Sequence, residues 1–277
     1  MNSKKWMLIS VLSFCVMTIG IKEISDNVNS FQIIFFRSLI GLLTIFIFFK
    51  NKLSRPTFSI IKGHLFRNIF HLIGQYGYIV GIIYLSLAEV TAIEFSVPIW
   101  ILIIASVFLK EEMTKSKVMS IILGFIGVLI IIRPGFGIIN TNSIIVLLSA
   151  ISYAIAHAST KKLTKKYKPL DIVFIMCLIQ IPISFGLTIT EISLPNIRDF
   201  SFLLIVGISA ITAHFTLAKA MMDDDISSII SIDYFRLPIL ILLGILLYNE
   251  NFNAAYLTGG TLIFVGNWIN KKAQNKN

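Results

Sequence analysis

The chain is poor in charge. Of its 277 residues only 14% are Asp, Glu, Lys or Arg, while 56% are hydrophobic; soluble domains carry about 25% charged residues. Too little polar surface remains to cover a water-soluble globule, so the solvent is a bilayer and the apolar runs are spans. Cysteine is scarce as well. Cys15 and Cys177 lie far apart inside apolar runs and read as small apolar fillers, not as a disulfide or metal pair. Zinc-ligand spacing, a P-loop and a GxGxxG fingerprint are all missing, so no metal or cofactor is expected, and the absence counts against a primary pump, which needs a nucleotide site on this chain or on a partner. No connection is long enough for a soluble domain; the longest polar linkers are Lys50–His64 and Lys161–Pro169.

What is present is a series of apolar stretches. A spanning helix needs about 20 mostly apolar residues. Ten stretches qualify: Trp6–Ile21, Phe31–Phe49, Leu65–Leu85, Ala88–Leu109, Lys117–Ile132, Ser143–Thr160, Asp171–Thr190, Phe202–Met222, Ile226–Tyr248 and Asn253–Ile269. The first follows Lys4 and Lys5 as a signal peptide would. The residues after it, Lys22-Glu23-Ile24, form no small-residue cleavage site, so it reads as an uncleaved helix. Trp6 and Trp268 fit the interfacial aromatic belt.

Lysine and arginine set the expected orientation. With the N-terminus inside, Lys22, Arg133 and Arg198 fall outside, Arg37 and Arg236 fall within spans, and the other 19 of the 24 basic residues lie on the cytoplasmic side, Arg67, Lys117 and Lys219 at the cytoplasmic ends of spans. This is the positive-inside pattern. It accounts for the net charge of +10 without any nucleic-acid partner. Both termini are then expected to be cytoplasmic, and the isoleucine- and lysine-rich composition, that of an AT-rich bacterial gene, makes a bacterial inner membrane the expected location.

The spans repeat. Glu94 matches Asp233, Phe95 matches Tyr234, Glu111 matches Glu250 and Gly127 matches Gly266, at a constant offset of 139 positions, with Pro98 and Pro238 one residue out of register. Each copy is an acidic residue, a proline, an apolar run, a turn with Glu and a Gly-containing apolar run. Ten helices in two halves give five each, and an odd number forces the second half to insert upside down. The expected fold is an all-α integral membrane protein of ten transmembrane helices in two inverted five-helix repeats, 1–135 and 136–277. Inverted repeats with a midplane site belong to secondary transporters.

These features resemble the drug/metabolite transporter superfamily, in particular its EamA-type ten-helix permeases, over nearly the whole chain. The residues that carry the resemblance are Phe36-Arg37, Pro98 with the turn Glu111–Thr114, Gly124 and Gly127, and Pro238, Glu250 and Gly266. The first half also looks like bacterial S-adenosylmethionine or riboflavin uptake carriers. One departure is that the glycine usual before the loop glutamate is Lys110 in the first half and Asn249 in the second. The resemblance implies a secondary transporter of a small polar or amphiphilic metabolite. An importer of S-adenosylmethionine or riboflavin and an exporter of amino acids or amphiphiles stay open within it.

Ionisable groups inside a membrane cost about 2.5–3.5 kcal/mol each on translocon scales, so each needs a reason. Arg37 can bind an anionic substrate group, or form a structural salt bridge or snorkel. Glu94 and Asp233, as repeat equivalents, can bind a cationic substrate or carry the coupling proton. A carboxylate out of water holds a proton more readily, as proton coupling requires. Arg236, three residues after Asp233, is a local partner for it. Trp100 and Tyr234 can stack on a flat or cationic substrate. Pro98 and Pro238 each remove one helix hydrogen bond, which suits a hinge, a polar spot on the cavity wall or a tolerated kink. Glu111 and Glu250 read as turn-fixing residues. No catalytic residue is expected, because His71, His157 and His214 are scattered over helices three, six and eight without a catalytic or metal spacing. A channel would repeat charged or carbonyl rings around a pore, which two copies do not. The protein is expected to be a monomer or homodimer in the lipid bilayer.

Overall fold

The structure is a computed structural model that describes residues 2–108, 114–132, 140–223, 231–251 and 253–274. Among the described residues there are eleven α-helices: α1 Ser3–Ile24, α2 Ser30–Phe49, α3 Phe58–Tyr84, α4 Leu87–Glu94, α5 Val97–Phe108, α6 Lys115–Ile132, α7 Thr141–Leu163, α8 Pro169–Thr188, α9 Ile197–Asp223, α10 Arg236–Tyr248 and α11 Ala254–Gln274. Short 3-10 turns cover Lys50–Lys52 and Ser231–Phe235, and no strand occurs among the described residues. Seven stretches are long and apolar enough to cross a membrane, and one of them, Leu87–Ile104, runs through both α4 and α5. The fold is the expected all-α membrane architecture, with α4 and α5 sharing one of ten segments. The turn residue Glu111, and Lys110 before it, lie outside the described residues.

Polar caps fix where helices begin. Asn2, Asn29, Thr57, Ser86 and Asn140 each accept a hydrogen bond from a backbone N–H two or three residues on, satisfying donors that a helix start leaves free. Two helices are longer than the hydropathy alone suggests. α3 starts at Phe58 rather than Leu65, and α9 at Ile197 rather than Phe202. Their added turns mix polar with apolar residues, Phe58–His64 and Ile197–Ser201, and so stand beyond the apolar stretch that the sequence reveals.

Helix pairing follows the repeat. α1 packs chiefly on α9 and α3 chiefly on α7; α2 packs on α8 and α6 on α11. An inverted two-fold that exchanges the halves turns the first pair into the second and maps each of the other two onto itself. At the α6–α11 crossing the backbones touch. A Cβ on Gly127 would lie 2.5 Å from the Gly259 carbonyl, and one on Gly259 would lie 2.5 Å from the Gly127 carbonyl. Only glycine permits that approach.

The fourth span differs from expectation. The hydropathy of Ala88–Leu109 is continuous, yet the helix ends at Glu94 and restarts at Val97. Ser96 bridges the gap: its N–H donates to the Ile93 carbonyl at 3.0 Å, and its carbonyl accepts from Ile99 N at 2.9 Å. Pro98 therefore occupies the first turn of α5, where a missing N–H breaks no bond. The ninth span behaves alike. Asp233 sits in the 3-10 turn, Arg236 opens α10, and Pro238 lies in its first turn. Neither proline removes an interior helix hydrogen bond, contrary to the sequence reading. Asp233 and Arg236 are three apart across a helix start, not along one α-helical face.

Candidate functional site

The two breaks put ionisable groups where the halves meet. Glu94 ends α4 and Arg236 begins α10. They are 4% and 6% exposed and lie 3.5 Å apart, Oε2 to Nη2. The same Nη2 donates to Asp233 Oδ2 at 2.8 Å. Ser149 Oγ of α7 donates to the Gly74 carbonyl at 2.6 Å and has Glu94 Oε1 as a second acceptor at 3.3 Å. The Arg236 guanidinium carbon stands 5.5 Å from the centre of the Phe14 ring, a cation–π distance. One cation thus serves two carboxylates. Asp233 Oδ1 and Arg236 Nε are buried with no hydrogen-bond partner. The group leaves one carboxylate oxygen and one guanidinium N–H unfilled, hydrogen-bonding capacity that a ligand can satisfy.

These three residues line a central cavity holding about 630 Å³ of space not filled by atoms, solvent-open parts included. Other walls come from Phe14 and Met17 of α1, Tyr78 of α3, Phe95, Pro98, Tyr153 and His157 of α7, and His214 and Leu217 of α9. Tyr78 Oη is fixed by Thr18 Oγ1 at 2.6 Å. Tyr153, His157 and His214 make ring contacts but no hydrogen bond among the described residues. Tyr153 stacks on His157 at 5.8 Å and an 11° interplanar angle, and Phe14 meets His214 edge-on at 5.2 Å. The cavity wall beyond the ion cluster's three residues is therefore largely aromatic.

On the side away from the termini, polar contacts tie the halves together. Leu87 N, at the start of α4, donates to both Glu250 carboxylate oxygens at 3.0 Å. Glu89 accepts from Ser143 at 2.7 Å and Tyr256 at 3.0 Å. Glu23 accepts from Arg198 at 2.6 Å and Tyr248 at 2.9 Å. The left-handed Asn249 (φ 52°) turns the chain so that Glu250 points back over α10.

Of the residues singled out from the sequence, Glu94, Asp233, Arg236 and Pro98 meet in the cavity wall. Trp100 and Pro238 are not among the lining residues. Trp100 Nε1 donates to Ser96 Oγ at 3.1 Å, and its ring meets Phe125 edge-on at 5.3 Å. Arg37 lies behind the wall, and its guanidinium donates to the Gln75 side-chain oxygen. The side chain of Tyr234 is outside the described residues. The histidines, scattered in sequence, join one chain of ring contacts: His157 and His71 each meet Tyr153, and His214 meets His71. His71 stands 5.5 Å from Tyr153 and 4.6 Å from His214, ring centre to centre. They come from α3, α7 and α9, and no one-dimensional spacing announces that meeting. No group of three His, Cys, Asp or Glu able to hold a metal occurs among the described residues.

The sequence profile of the EamA-like transporter family matches residues 4–133 and again 141–270. A protein of Rickettsia bellii (strain RML369-C) named S-adenosylmethionine uptake transporter is 27% identical over 281 residues, which cover 98% of this chain and 95% of that one. A pseudopaline exporter of Pseudomonas aeruginosa (strain UCBPP-PA14) is 24% identical over 270 residues, covering 95% and 94%. A solved crystal structure superposes with a TM-score of 0.70 at 14% identity, over 96% of this chain and 95% of the other, a likeness of fold.

Proposed function

Because the chain belongs to the EamA-like transporter family and is a metabolite transporter of the membrane, we propose that it is a secondary active carrier working by alternating access. The two halves, 1–135 and 136–277, rock about the central cavity, with both termini in the cytoplasm and the protein in the inner membrane. The observation that carries this reading is the meeting of two repeat-equivalent carboxylates, Glu94 and Asp233, on the single guanidinium of Arg236 at the cavity wall. A bond between the halves at the substrate site is what a rocking motion must break and remake.

In this reading the substrate is a small polar or amphiphilic metabolite with a cationic group. That group displaces Arg236 from the carboxylates, and its flat or apolar part rests on Tyr78, Tyr153 and Phe14. A zwitterion such as an amino acid or S-adenosylmethionine fits such a site. The curated relatives include an uptake transporter and an exporter, so the direction of transport is left to measurement. Asp233, with one oxygen unpartnered, is the proposed carrier of a coupling proton. Pro98 and Pro238 are proposed to let the half-helices tilt, because each sits in the first turn after a break. Trp100 steadies the first break through Ser96, and Tyr234 is proposed as a stacking residue of the second. The proposed work of the site is movement without covalent chemistry.

Uptake into proteoliposomes tests the reading, using labelled S-adenosylmethionine, riboflavin and several amino acids with and without a proton gradient. Saturable uptake of one compound is expected. Asp233→Asn is expected to abolish gradient-driven accumulation, and Glu94→Gln to weaken uptake at least tenfold. Wild-type uptake by Glu94→Gln, Asp233→Asn and an Arg236→Met/Glu94→Gln/Asp233→Asn triple variant alike would remove the site from the reading.

A further inference from the structure

A second charged cluster lies deeper than the cavity, and it is cationic. Arg37 of α2 and Arg67 of α3 are 3% and 4% exposed. Neither has a carboxylate within 4.0 Å among the described residues. Their hydrogen bonds go to neutral oxygens only. Arg37 donates to Gln75. Arg67 donates to Thr160 Oγ1 at 3.1 Å and Asn68 Oδ1 at 2.9 Å. Asp171, the acid of that region, accepts instead from Ser54 N at 2.9 Å and Ser54 Oγ at 2.7 Å. Neutral acceptors satisfy N–H groups but leave charge uncompensated, and buried charge in a membrane core is ordinarily paired. A guanidinium cannot escape by losing its proton.

An independent feature points the same way. Gln75 donates to Gln180 Oε1 at 3.0 Å, and Gln180 Nε2 donates to His71 Nδ1 at 3.0 Å. Nδ1 is thereby the acceptor, so a neutral His71 carries its proton on Nε2. His71 is fully buried, and its Nε2 has no partner. The cluster offers two unneutralised guanidiniums and one orphaned N–H donor; beside it His64 gives its Nδ1 proton to the Ile60 carbonyl at 2.8 Å and keeps Nε2 as an unpartnered acceptor.

We infer that Arg37, Arg67 and His71 form a buried anion-binding site, separate from the Glu94–Arg236–Asp233 cluster, that takes a small monovalent anion. The anion is either a halide from solution or a carboxylate. The planar forks of the arginines match a carboxylate and also accept a halide. His71 packs on His214, which lines the cavity, so the site lies one ring behind the cavity wall. A carboxylate source would place the anionic end of a zwitterion opposite the carboxylate pair and would deepen the carrier reading. A halide source stands without that reading.

Thermal unfolding of the full-length protein in detergent tests the site without any transport measurement, so failure here and failure of the carrier reading are separable. Sodium methanesulfonate is replaced stepwise by sodium chloride or sodium acetate at constant ionic strength. The expected result is a rise in Tm of about 3 °C or more between 1 and 100 mM of one of these anions. The rise is lost in Arg37→Met and in Arg67→Met. A rise with chloride identifies the halide source; a rise with acetate alone identifies the carboxylate. If neither methionine variant folds, Arg37→Lys, which keeps the charge and loses the fork, must reduce the rise by at least half. No rise with either anion in the wild type overturns the site, and so does a rise undiminished in the variants.

Discussion

Glu94 and Asp233, equivalent positions of the two halves, share the Arg236 guanidinium at 3.5 and 2.8 Å. Removing the shared partner leaves two carboxylates buried together, and breaking a buried pair by removing one partner costs about 3–5 kcal/mol. Arg236→Met is therefore expected to lower the melting temperature more than the neutral triple variant Glu94→Gln/Asp233→Asn/Arg236→Met, although it changes fewer residues. Melting of the four proteins, wild type and Asp233→Asn included, reads the difference. A triple variant less stable than Arg236→Met alone would show that the three groups do not act as one unit.

Glu250 caps α4 from the other half of the molecule, accepting at both oxygens from Leu87 N at 3.0 Å. Loss of a cap costs about 0.5–2 kcal/mol, and a carboxylate also favours the positive end of the helix dipole. Glu250→Ala is expected to destabilise by about 1–2 kcal/mol in a denaturant or thermal series. Glu250→Gln, which keeps an acceptor, is expected to lose about half as much. Equal losses would assign the effect to the carboxylate charge, which both variants remove, because Gln keeps the packing beside Gly244, whose Cβ position lies 2.5 Å from Glu250 Oε2.

The α6–α11 crossing leaves no room for a side chain at Gly127 or Gly259. Overpacking costs about 1–3 kcal/mol, and here backbone must move, so Gly127→Val and Gly259→Val are expected at the upper end or not to fold. Gly63, with nothing within 4 Å of its Cβ position, is the control. Gly63→Ala in α3 is expected to stabilise by about 0.5–1 kcal/mol. Monodispersity in detergent and melting temperature check both statements.

Much of this was legible in the sequence, for physical reasons. Apolar runs of bilayer length must be helices, because lipid offers no partner for a backbone N–H. The offset between Glu94 and Asp233 reveals the repeat without any coordinates. What the sequence hid has reasons too. The break at Phe95 and Ser96 leaves hydropathy untouched, and Pro98, its one local sign, suits a kink as well as a restart. Arg67 looks like a cytoplasmic flank by position, yet α3 extends to Phe58 and buries it at 4% exposure. His71, His157 and His214 meet only through helix packing: His71 of α3 and His157 of α7 contact Tyr153, and His214 of α9 contacts His71.

The central claim is that the halves alternate around the Glu94–Arg236–Asp233 site, and counterflow tests it most directly. Proteoliposomes are loaded with an excess of the unlabelled panel compound that the wild type takes up, then diluted into a trace of the same compound labelled. A carrier is predicted to accumulate label transiently above equilibrium, with the overshoot abolished in Arg236→Met. Flux that rises linearly with concentration and shows no overshoot would contradict alternating access and mark the cavity as a pore.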